Sequence, residues 1–567
     1  MKKLATLLLA AGMVLGSFAG AQAIDWKAKG EWIFEFSYSD GIRFARDDRN
    51  KNVNPTTIKN NTAGRAKRYG STNGADNFEA IQRVRLQLDA VASENLSGTL
   101  HIEVGDQRWG TEGVGRNGNG AALGADGVVI EVKGAYLDWI VPNTDLKIRM
   151  GIQPLGLPSY TFESAVFNDD VAGISASYKF NDNVSLVAFW ARPFNDNYTT
   201  STNNPYTGNS YGSPGYMDNV DVFGLVLPLA FDGFKITPWG VLGFIGPNFY
   251  KYGTAGQGDQ LNNVLNGMLP AYSGTGNRYW FDKSGNPQTP LGTRMPGDYA
   301  TAWWAGLTGE ITALDPFRFA WDANYGSTNW GDKAGYLNRS GWFVNILAEY
   351  KLDWGVPGLL AWWGSGDDSN PKNGSERMPV FSIDNNGNNG MSSFGFGQKY
   401  SFGINKNAPL GSDYAGTWGI GVRIRDMSFI EDLSHTFRVN FFGGTNDPTM
   451  AKYLTGKKSL NKMPWDNRAA GLGMYTDFNG GTGSWPGPYL TTQDYGLEIN
   501  LDTAYKIYEN LEVALELGYI HLWLDQSKSV WGAGYAATPY GTMPTGTVRG
   551  INYTDAIKAS LVFRYAF

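Results

Sequence analysis

The sequence has no cysteine, and its three histidines, His101, His435 and His521, are spread widely along 567 residues. Without cysteine there are no disulfides, so the fold must be held by packing or by a closed network of backbone hydrogen bonds. Histidines this far apart, with no serine or aspartate beside them in a recognisable motif, give no reason to expect catalysis. The sequence therefore predicts that the protein is not an enzyme and has no histidine metal site.

Long hydrophobic runs are also missing beyond the N-terminus. The most apolar pieces, such as 223–231 and 358–364, are short and contain glycine or proline. None approaches the roughly 20 residues that a membrane-spanning helix needs. Inside a bilayer every backbone N–H and C=O group needs a hydrogen-bond partner within the protein, and only helices and closed barrels provide this. An exported chain without such a helix is therefore either soluble or a closed barrel.

The N-terminus predicts export. Two lysines precede an apolar stretch from Leu4 to Phe18, and the small-residue sequence Ala21-Gln22-Ala23 follows it. This order is that of a secretory signal peptide. A short membrane anchor is the alternative, but the apolar core is too short to span a bilayer. We expect residues 1–23 to be cleaved and 24–567 to form a single domain.

Glycine and aromatic residues are abundant: the chain has 74 glycines, 20 tryptophans, 30 tyrosines and 30 phenylalanines. This composition is typical of turns and aromatic strands. The net charge of −6 argues against nucleic acid as a partner, since nucleic-acid binding relies on a basic surface.

Apolar and polar residues alternate in many segments, which is the period that puts them on opposite faces of a strand. In the first segment Trp32, Phe34 and Phe36 share one face, while Glu31 and Glu35 share the other. The same pattern recurs at 83–90, 146–153, 317–324, 420–425 and 437–441. One face suits lipid and the other suits water, as in a barrel strand that crosses a membrane at a tilt.

Short connections alternate with long ones. Short breaks fall at 93–98, 142–145, 181–183, 230–234, 314–316, 352–357, 430–433 and 509–511. Long polar segments separate them, notably Asp40 to Asp76, Gly246 to Ala300, Asp368 to Ser412 and Asp447 to Thr492. Outer-membrane barrels have short periplasmic turns and long external loops. The sequence predicts an all-β fold, a transmembrane antiparallel β-barrel of eighteen strands, with sixteen as the alternative.

The last strand ends on Phe567, which shares a face with Tyr565 and Phe563. A terminal phenylalanine in this position resembles the signal that the outer-membrane barrel-assembly machinery reads. The C-terminal strand of a soluble sheet is the alternative.

Together these features resemble the trimeric porins of outer membranes, and most closely the homotrimeric porin family of sulfate-reducing bacteria. The residues that carry the resemblance are 84–109 (VRLQLDAVASENLSGTLHIEVGDQRW), 133–139 (KGAYLDW), 147–158 (KIRMGIQPLGLP), 169–180 (DDVAGISASYKF) and the final strand. The resemblance implies a homotrimer embedded in outer-membrane lipid and lipopolysaccharide. Each subunit would give passive diffusion of small hydrophilic solutes and ions through its own water-filled channel.

The resemblance also implies a constriction. In general porins the loop after the fifth strand folds into the barrel and narrows it, and here that connection runs from Pro154 to Asp170. It contains Glu163, Asp169 and Asp170. The chain departs from general porins because it lacks their proline-glutamate-phenylalanine-glycine-glycine motif in this loop.

The polar faces of the strands are predicted to line the pore. Their basic members are Arg83, Arg85, Lys147, Arg149, Arg318, Arg423, Arg425, Arg438 and Arg564. Rings of arginine or lysine favour anions, so one interpretation is a mild anion preference. The other is that these arginines pair with acids such as Glu31, Asp89 or Asp322 and merely solvate the wall.

An alternative function is a substrate-specific channel with eighteen strands, of sugar or organic-anion type, because the loops hold many aromatic residues. Two loop clusters offer oxygen ligands for calcium, although solvated turns have the same composition and we assign no cofactor. The clusters are Asp367, Asp368, Asn370 and Glu376, and separately Asp282, Ser284 and Asn286. The basic loop 40–76 is a candidate contact for lipopolysaccharide phosphates or a neighbouring subunit, with a plain solvated loop as the alternative.

Overall fold

The structure is a computed structural model. It describes residues 24–41, 45–47, 77–110, 130–195, 219–247, 267–268, 280–281, 287–288, 298–331, 335, 337–370, 373–381, 393–395, 399–402, 410, 414–449, 490–524, 551–553 and 555–567. The predicted signal peptide, 1–23, lies outside the described residues.

Eighteen strands follow one another around a single sheet. The first nine are β1 (Asp25–Asp40), β2 (Asn77–Ser93), β3 (Leu96–Arg108), β4 (Ile130–Ile140), β5 (Leu146–Gly156), β6 (Asn168–Lys179), β7 (Ser185–Phe194), β8 (Val220–Val226 and Leu229–Phe231) and β9 (Phe234–Ile245). The others are β10 (Ala300–Ile311), β11 (Phe317–Asn329), β12 (Arg339–Tyr350), β13 (Val356–Gly364), β14 (Thr417–Ile430), β15 (Leu433–Gly444), β16 (Tyr495–Tyr508), β17 (Leu511–Trp523) and β18 (Ala556–Ala566). The two parts of β8 flank Pro228 and both pair with β9, so they count as one strand.

The sheet closes on itself because β1 pairs with both β2 and β18. The β1–β18 register runs from Glu31 opposite Ala566 to Asp40 opposite Ile557. Each strand pairs antiparallel with its neighbours in the chain. Closure gives the backbone groups of the first and last strands hydrogen-bond partners, as a membrane requires. The prediction of an antiparallel barrel with eighteen strands is confirmed, and the alternative of sixteen is wrong.

The two rims of the barrel differ in the length of their connections. Turns of two to five residues join the strands at one rim, and all eight fall within or beside the breaks predicted from the sequence. The start of β1 at Asp25 and the C-terminal Phe567 lie at this rim as well. The opposite rim carries the nine longer connections, including 41–76, 246–299, 365–416 and 445–494. The predicted alternation of short turns and long loops is therefore confirmed.

The burial of side chains is reversed relative to a soluble protein. On the outer face, Ile346 and Leu359 are 56% and 59% exposed. On the inner face, Glu35, Asn440 and Glu498 are fully buried. An apolar exterior around a polar interior is the arrangement that hydrocarbon outside a barrel demands. No helix among the described residues is long and apolar enough to cross a membrane.

Aromatic side chains group near the ends of the outer face. At the turn rim the Trp32 ring lies 5.4 Å from the ring of Phe567. Toward the loop rim the Tyr325 ring lies 5.1 Å from Trp303 and 4.8 Å from Trp342. Aromatic rings at both levels are typical of the two interfaces between membrane and water.

A hydrophobic core lies inside the barrel, which the alternation of residues did not predict. Trp304, Phe343 and Trp362 point inward from the wall and are 1%, 1% and 3% exposed. Phe162 and Phe381, which come from two long connections, are equally buried among them. The described parts of these two connections therefore fold into the lumen and pack there.

Candidate functional site

The lumen is the candidate functional site, and its predicted basic residues all have acidic partners. Each of the nine bases has at least one acid within salt-bridge distance: Arg83 with Asp106 (2.6 Å), Arg85 with Glu103 (2.7 Å), Lys147 with Asp138 (3.3 Å), Arg149 with Asp138 (2.7 Å), Arg318 with Glu310 (2.9 Å), Arg423 with Glu349, Arg425 with Glu349 (2.8 Å) and with Asp426, Arg438 with Asp502 (2.6 Å) and Arg564 with Glu31 (2.7 Å). Glu31 is the one expected partner that the structure brings to these bases, since it also contacts Arg85 at 3.4 Å.

The other two expected partners have different contacts. Asp89 accepts hydrogen bonds from Gln87 and Thr99 within the wall. Asp322 accepts hydrogen bonds from Thr308 and from a loop that enters the lumen. The alternation of odd and even positions correctly separates the two faces of a strand. Which acid pairs with which base depends instead on the register between strands.

One part of the wall, which we call the basic wall, carries more cations than acids. Its cations are Lys235, Arg318, Arg423 and Arg425, and its acids are Glu310 and Glu349. Glu349 alone pairs with three arginines, including Arg318 at 2.9 Å, while Glu310 joins Arg318 to Lys235. The Lys235 and Arg425 side chains are 48% and 36% exposed. Positive charge therefore faces the lumen along β9–β14.

A second part, which we call the acidic wall, has the opposite balance. Its acids are Glu35, Glu498, Asp502 and Glu516, and its cations are Arg438 and Lys558, all of them at most 5% exposed. These residues lie on the inner faces of β15–β18 and β1. Buried carboxylates need hydrogen-bond donors or cations to offset their desolvation, and here two cations serve four acids.

The predicted constriction connection is shorter than expected. Strand β5 continues to Gly156 and β6 begins at Asn168, so the connecting segment is 157–167 and not 154–170. Pro154 pairs with Asp170 in the β5–β6 ladder.

The three acids expected in the constriction therefore lie apart. Asp169 and Asp170 belong to β6, and Asp170 pairs with Lys133 at 3.2 Å. Glu163 is in the connection and accepts a hydrogen bond from Asn168 at 3.1 Å. The contacts of Asp170 and Glu163 are thus with Lys133 and Asn168, which are not among the nine predicted pore-lining bases.

The segment 157–167 enters the lumen and is anchored by Asp322 of β11. Ser159 Oγ donates to the Asp322 carboxylate at 2.8 Å, and the Tyr160 N–H donates at 3.1 Å. The Thr161 N–H and hydroxyl donate to the same carboxylate. Arg318 adds a bond of 2.8 Å to the Tyr160 carbonyl oxygen. Donors from a loop thus converge on one buried acid of the wall.

The apolar side of this segment packs across the barrel. The Phe162 ring lies 5.3 Å from Tyr414 and 6.5 Å from Phe343. The Val166 carbonyl oxygen accepts a 2.9 Å bond from the Phe381 N–H, which belongs to the β13–β14 connection. The two inward segments are therefore joined by backbone pairing as well as by packing.

The β13–β14 connection, 365–416, was expected to be an external loop between Asp368 and Ser412, and its described parts differ from that expectation. Trp304 Nε1 of the inner wall donates to the Pro379 carbonyl oxygen at 2.7 Å. Arg339, 1% exposed, donates to the carbonyls of Arg377 and Met378. Scattered apolar residues such as Met378 and Phe381 were the available signal in this otherwise polar segment.

The first candidate calcium cluster is held by protein donors. Asp367 accepts a bond from the Ser375 hydroxyl, and the Asn373 amide donates to Asp368 and Glu376 at 2.9 and 3.1 Å. Burial, together with the neighbouring Asp368 and Asp367 carboxylates, raises the pKa of Glu376. The described part of the chain contains no group of three acidic, histidine or cysteine residues placed to hold a metal.

Two other predicted sites cannot be placed. The second calcium cluster, Asp282, Ser284 and Asn286, lies outside the described residues, as does most of the basic loop 40–76.

The C-terminal residue closes the barrel at the turn rim. The Phe567 N–H donates to the Gly30 carbonyl oxygen at 3.0 Å, and the Gly30 N–H donates back at 2.9 Å. The ring remains 49% exposed on the outer face. A bulkier residue cannot replace Gly30, because an added Cβ would lie 2.6 Å from the Arg85 carbonyl oxygen and 2.7 Å from the Phe567 ring.

The closed sheet, the apolar exterior and the charged, loop-filled interior define a transmembrane antiparallel β-barrel. No protein family matches the sequence, and no curated protein matches it. Solved structures that it resembles include Pseudomonas aeruginosa OpdQ, with 11% identity, a TM-score of 0.44, and coverage of 96% of this chain and 98% of that one. OccK7 (OpdD) from the same organism has 10% identity and a TM-score of 0.43, covering 96% and 99%. OpdK with vanillate has 10% identity and a TM-score of 0.42, covering 95% and 98%.

Proposed function

We propose that the protein is an outer-membrane porin that lets small hydrophilic solutes and ions diffuse through its lumen. The observation that carries the proposal is the closed barrel with a charged inner wall, narrowed by segments that fold inward from the loop rim. Such a wall orders water and creates a local field that dipolar or charged solutes experience as they pass.

The direct test is reconstitution of the mature protein in a planar lipid bilayer. Discrete conductance steps with a linear dependence of current on voltage are expected of a general porin. Saturable current that a sugar or an organic anion blocks would instead support the alternative, a substrate-specific channel. A protein that inserts but conducts no ions would contradict both.

We further propose that residues 1–23 are cleaved on export, that the mature chain forms homotrimers in the outer membrane, and that the assembly machinery reads Phe567. The trimer is an expectation from the sequence pattern, and conductance steps that occur in threes would test it. The exposure of Phe567 on the outer face at the turn rim supports the assembly signal.

Deletion of Phe567 is expected to reduce the yield of folded protein in the outer membrane severalfold. The deletion removes the two backbone bonds to Gly30 and the aromatic contact with Trp32. Folded barrel is measured as the fraction that resists denaturation in detergent without heating. Phe567→Tyr retains the ring and serves as the control, and equal yields from the deletion and this control would contradict the assignment.

A mild anion preference is also proposed, and it is attributed to the basic wall. Ion pairing removes most of the excess charge expected from sequence, but cations still outnumber acids on the inner face of β9–β14. The cations are Lys235, Arg318, Arg339, Arg423 and Arg425, and the acids are Glu310, Asp322 and Glu349. Arg425→Gln is expected to shift the reversal potential in a salt gradient toward cation selectivity, because it removes a partly exposed charge. Arg149→Gln, in a pair on the other side of the barrel, is the comparison. An unchanged reversal potential for Arg425→Gln would contradict this origin of selectivity.

A further inference from the structure

The described residues 393–395 and 399–402, which we call the inner strap, lie over the acidic wall. The N–H groups of Tyr400 and Ser401 donate to the two oxygens of the Glu516 carboxylate, each at 2.9 Å. The Phe402 N–H donates to Glu35 at 2.6 Å, and the Ser393 hydroxyl donates to Glu498 at 2.7 Å. Three of the four acids in the acidic wall thus accept bonds from one inward segment.

Aromatic contacts extend the inner strap along the wall in both directions. Toward β13 and β15, the Phe394 ring lies 5.7 Å from Trp362 and 5.3 Å from Phe442. Toward β2, the guanidinium of Arg83 lies 4.6 Å from the centre of the Phe402 ring. The described residues of the strap therefore contact the inner surface from β13 to β2.

The excess of carboxylates on the acidic wall matches the hydrogen-bond donors that the inner strap presents to it. Carboxylates outnumber cations there, and backbone N–H groups supply the missing donors through charge-assisted bonds, which are stronger than neutral ones. Burial, with the nearby Glu512 carboxylate, raises the pKa of Tyr400, so its phenol stays protonated beside these acids. Without the strap these carboxylates would lack several of their donors.

We propose that the inner strap is a second constriction element of the channel, held in place by Glu35, Glu498 and Glu516 as positioning residues. Together with the segment 157–167 it sets the free cross-section and hence the conductance. The inference rests on the proposed porin function, because it concerns the path that ions take through the lumen.

The first test compares Glu516→Gln and the double variant with Glu35→Gln against Asp89→Asn. A glutamine cannot accept both N–H groups without turning its own NH₂ toward one of them. The ratio of docked to released strap is expected to fall on the order of tenfold, as for loss of a hydrogen bond to a charged group. Single-channel records should show a higher mean conductance and flicker between two levels. Asp89→Asn removes a lumen carboxylate whose contacts among the described residues are with Gln87 and Thr99 of the wall, and it should show neither change.

The second test uses the absence of cysteine from the chain. Lys399 of the strap is exposed, so Lys399→Cys is expected to fold normally and to react with a charged thiol reagent added to the bilayer chamber. The bound reagent should lower the conductance, because it narrows the lumen. Asp182→Cys, at a turn where the side chain is 93% exposed, should react without changing the current.

The outcomes separate this inference from the proposed function. If the wild-type barrel carries no current, the porin function fails. If the wild-type conducts but the Glu516→Gln variants conduct like Asp89→Asn, and labelling of the Lys399→Cys variant leaves the current unchanged, the strap is not a constriction while the porin function stands. Heat-modifiable mobility of every variant in detergent confirms that the barrels compared are folded.

Discussion

Replacing Asp322 with alanine is expected to release the segment 157–167 from the wall and to raise the single-channel conductance. The carboxylate accepts bonds from the Ser159 hydroxyl, the Tyr160 and Thr161 N–H groups and the Thr161 hydroxyl. Each buried donor left without its acceptor costs about 1–3 kcal/mol. The substitution removes the largest group of polar contacts on the segment and leaves the Arg318 bond to Tyr160, the Phe381 bond to Val166 and the packing of Phe162. We therefore expect the released state of the segment to become populated.

The barrel itself should survive this substitution, because the backbone pairing of β11 with β10 and β12 is unchanged. Limited proteolysis of reconstituted protein measures the release, and cleavage is expected within 157–167 only in the variant. Asp138→Asn is the control, since Asp138 pairs with Arg149 and Lys147 inside the wall. Protection of the segment in Asp322→Ala equal to that in the control would show that Asp322 is not the anchor.

The strands and turns were predictable because they depend on local pattern. Trp32, Phe34 and Phe36 alternate with Glu31 and Glu35 over a distance that one strand covers, so the face of each residue follows from its parity. The connections are likewise set by nearby glycine, proline and asparagine residues. These local signals were enough to predict eighteen strands and to locate the four long polar connections along the chain.

The interior was less predictable because its contacts join distant parts of the chain. Thr161 contacts Asp322, Ser401 contacts Glu516, and Phe402 contacts Glu35 across 367 positions. No local period marks which polar loop turns inward, and the few apolar residues in 365–416 are diluted by glycine and asparagine. Loop composition alone therefore predicted an external loop for a segment that packs inside.

The charge of the lumen shows the same limit. Parity placed Arg318, Arg423 and Arg425 on the inner face, but it did not show that all three converge on Glu349. Glu349 lies on β12. Arg318 is on the adjacent strand β11, and Arg423 and Arg425 are on β14, two strands away on the other side. Only the register between strands brings the four side chains together. Ion selectivity depends on the net charge of the lumen after this pairing. A count of basic residues alone therefore overstates the positive charge of the inner wall.

Ile346→Arg is expected to abolish insertion of the barrel, and it tests the assignment of the outer face most severely. Ile346 lies in the middle of β12 and is 56% exposed on the outer face. A positive charge facing hydrocarbon near the membrane midplane costs about 2–4 kcal/mol. The variant should stay unfolded in denaturant or aggregate when the denaturant is removed. The measurement is the fraction of protein that folds when it is diluted into lipid vesicles.

Ser177→Arg is the matched substitution on the inner face, where Ser177 pairs with Lys147 of β5 and Val187 of β7. The same charge there meets water, so the barrel should fold with near wild-type yield and show only altered ion selectivity. Equal yields from Ile346→Arg and Ser177→Arg would mean that the two faces meet the same solvent. Hydrocarbon would then not surround the barrel, and the exposed isoleucine, leucine and tryptophan side chains would need another partner to cover them.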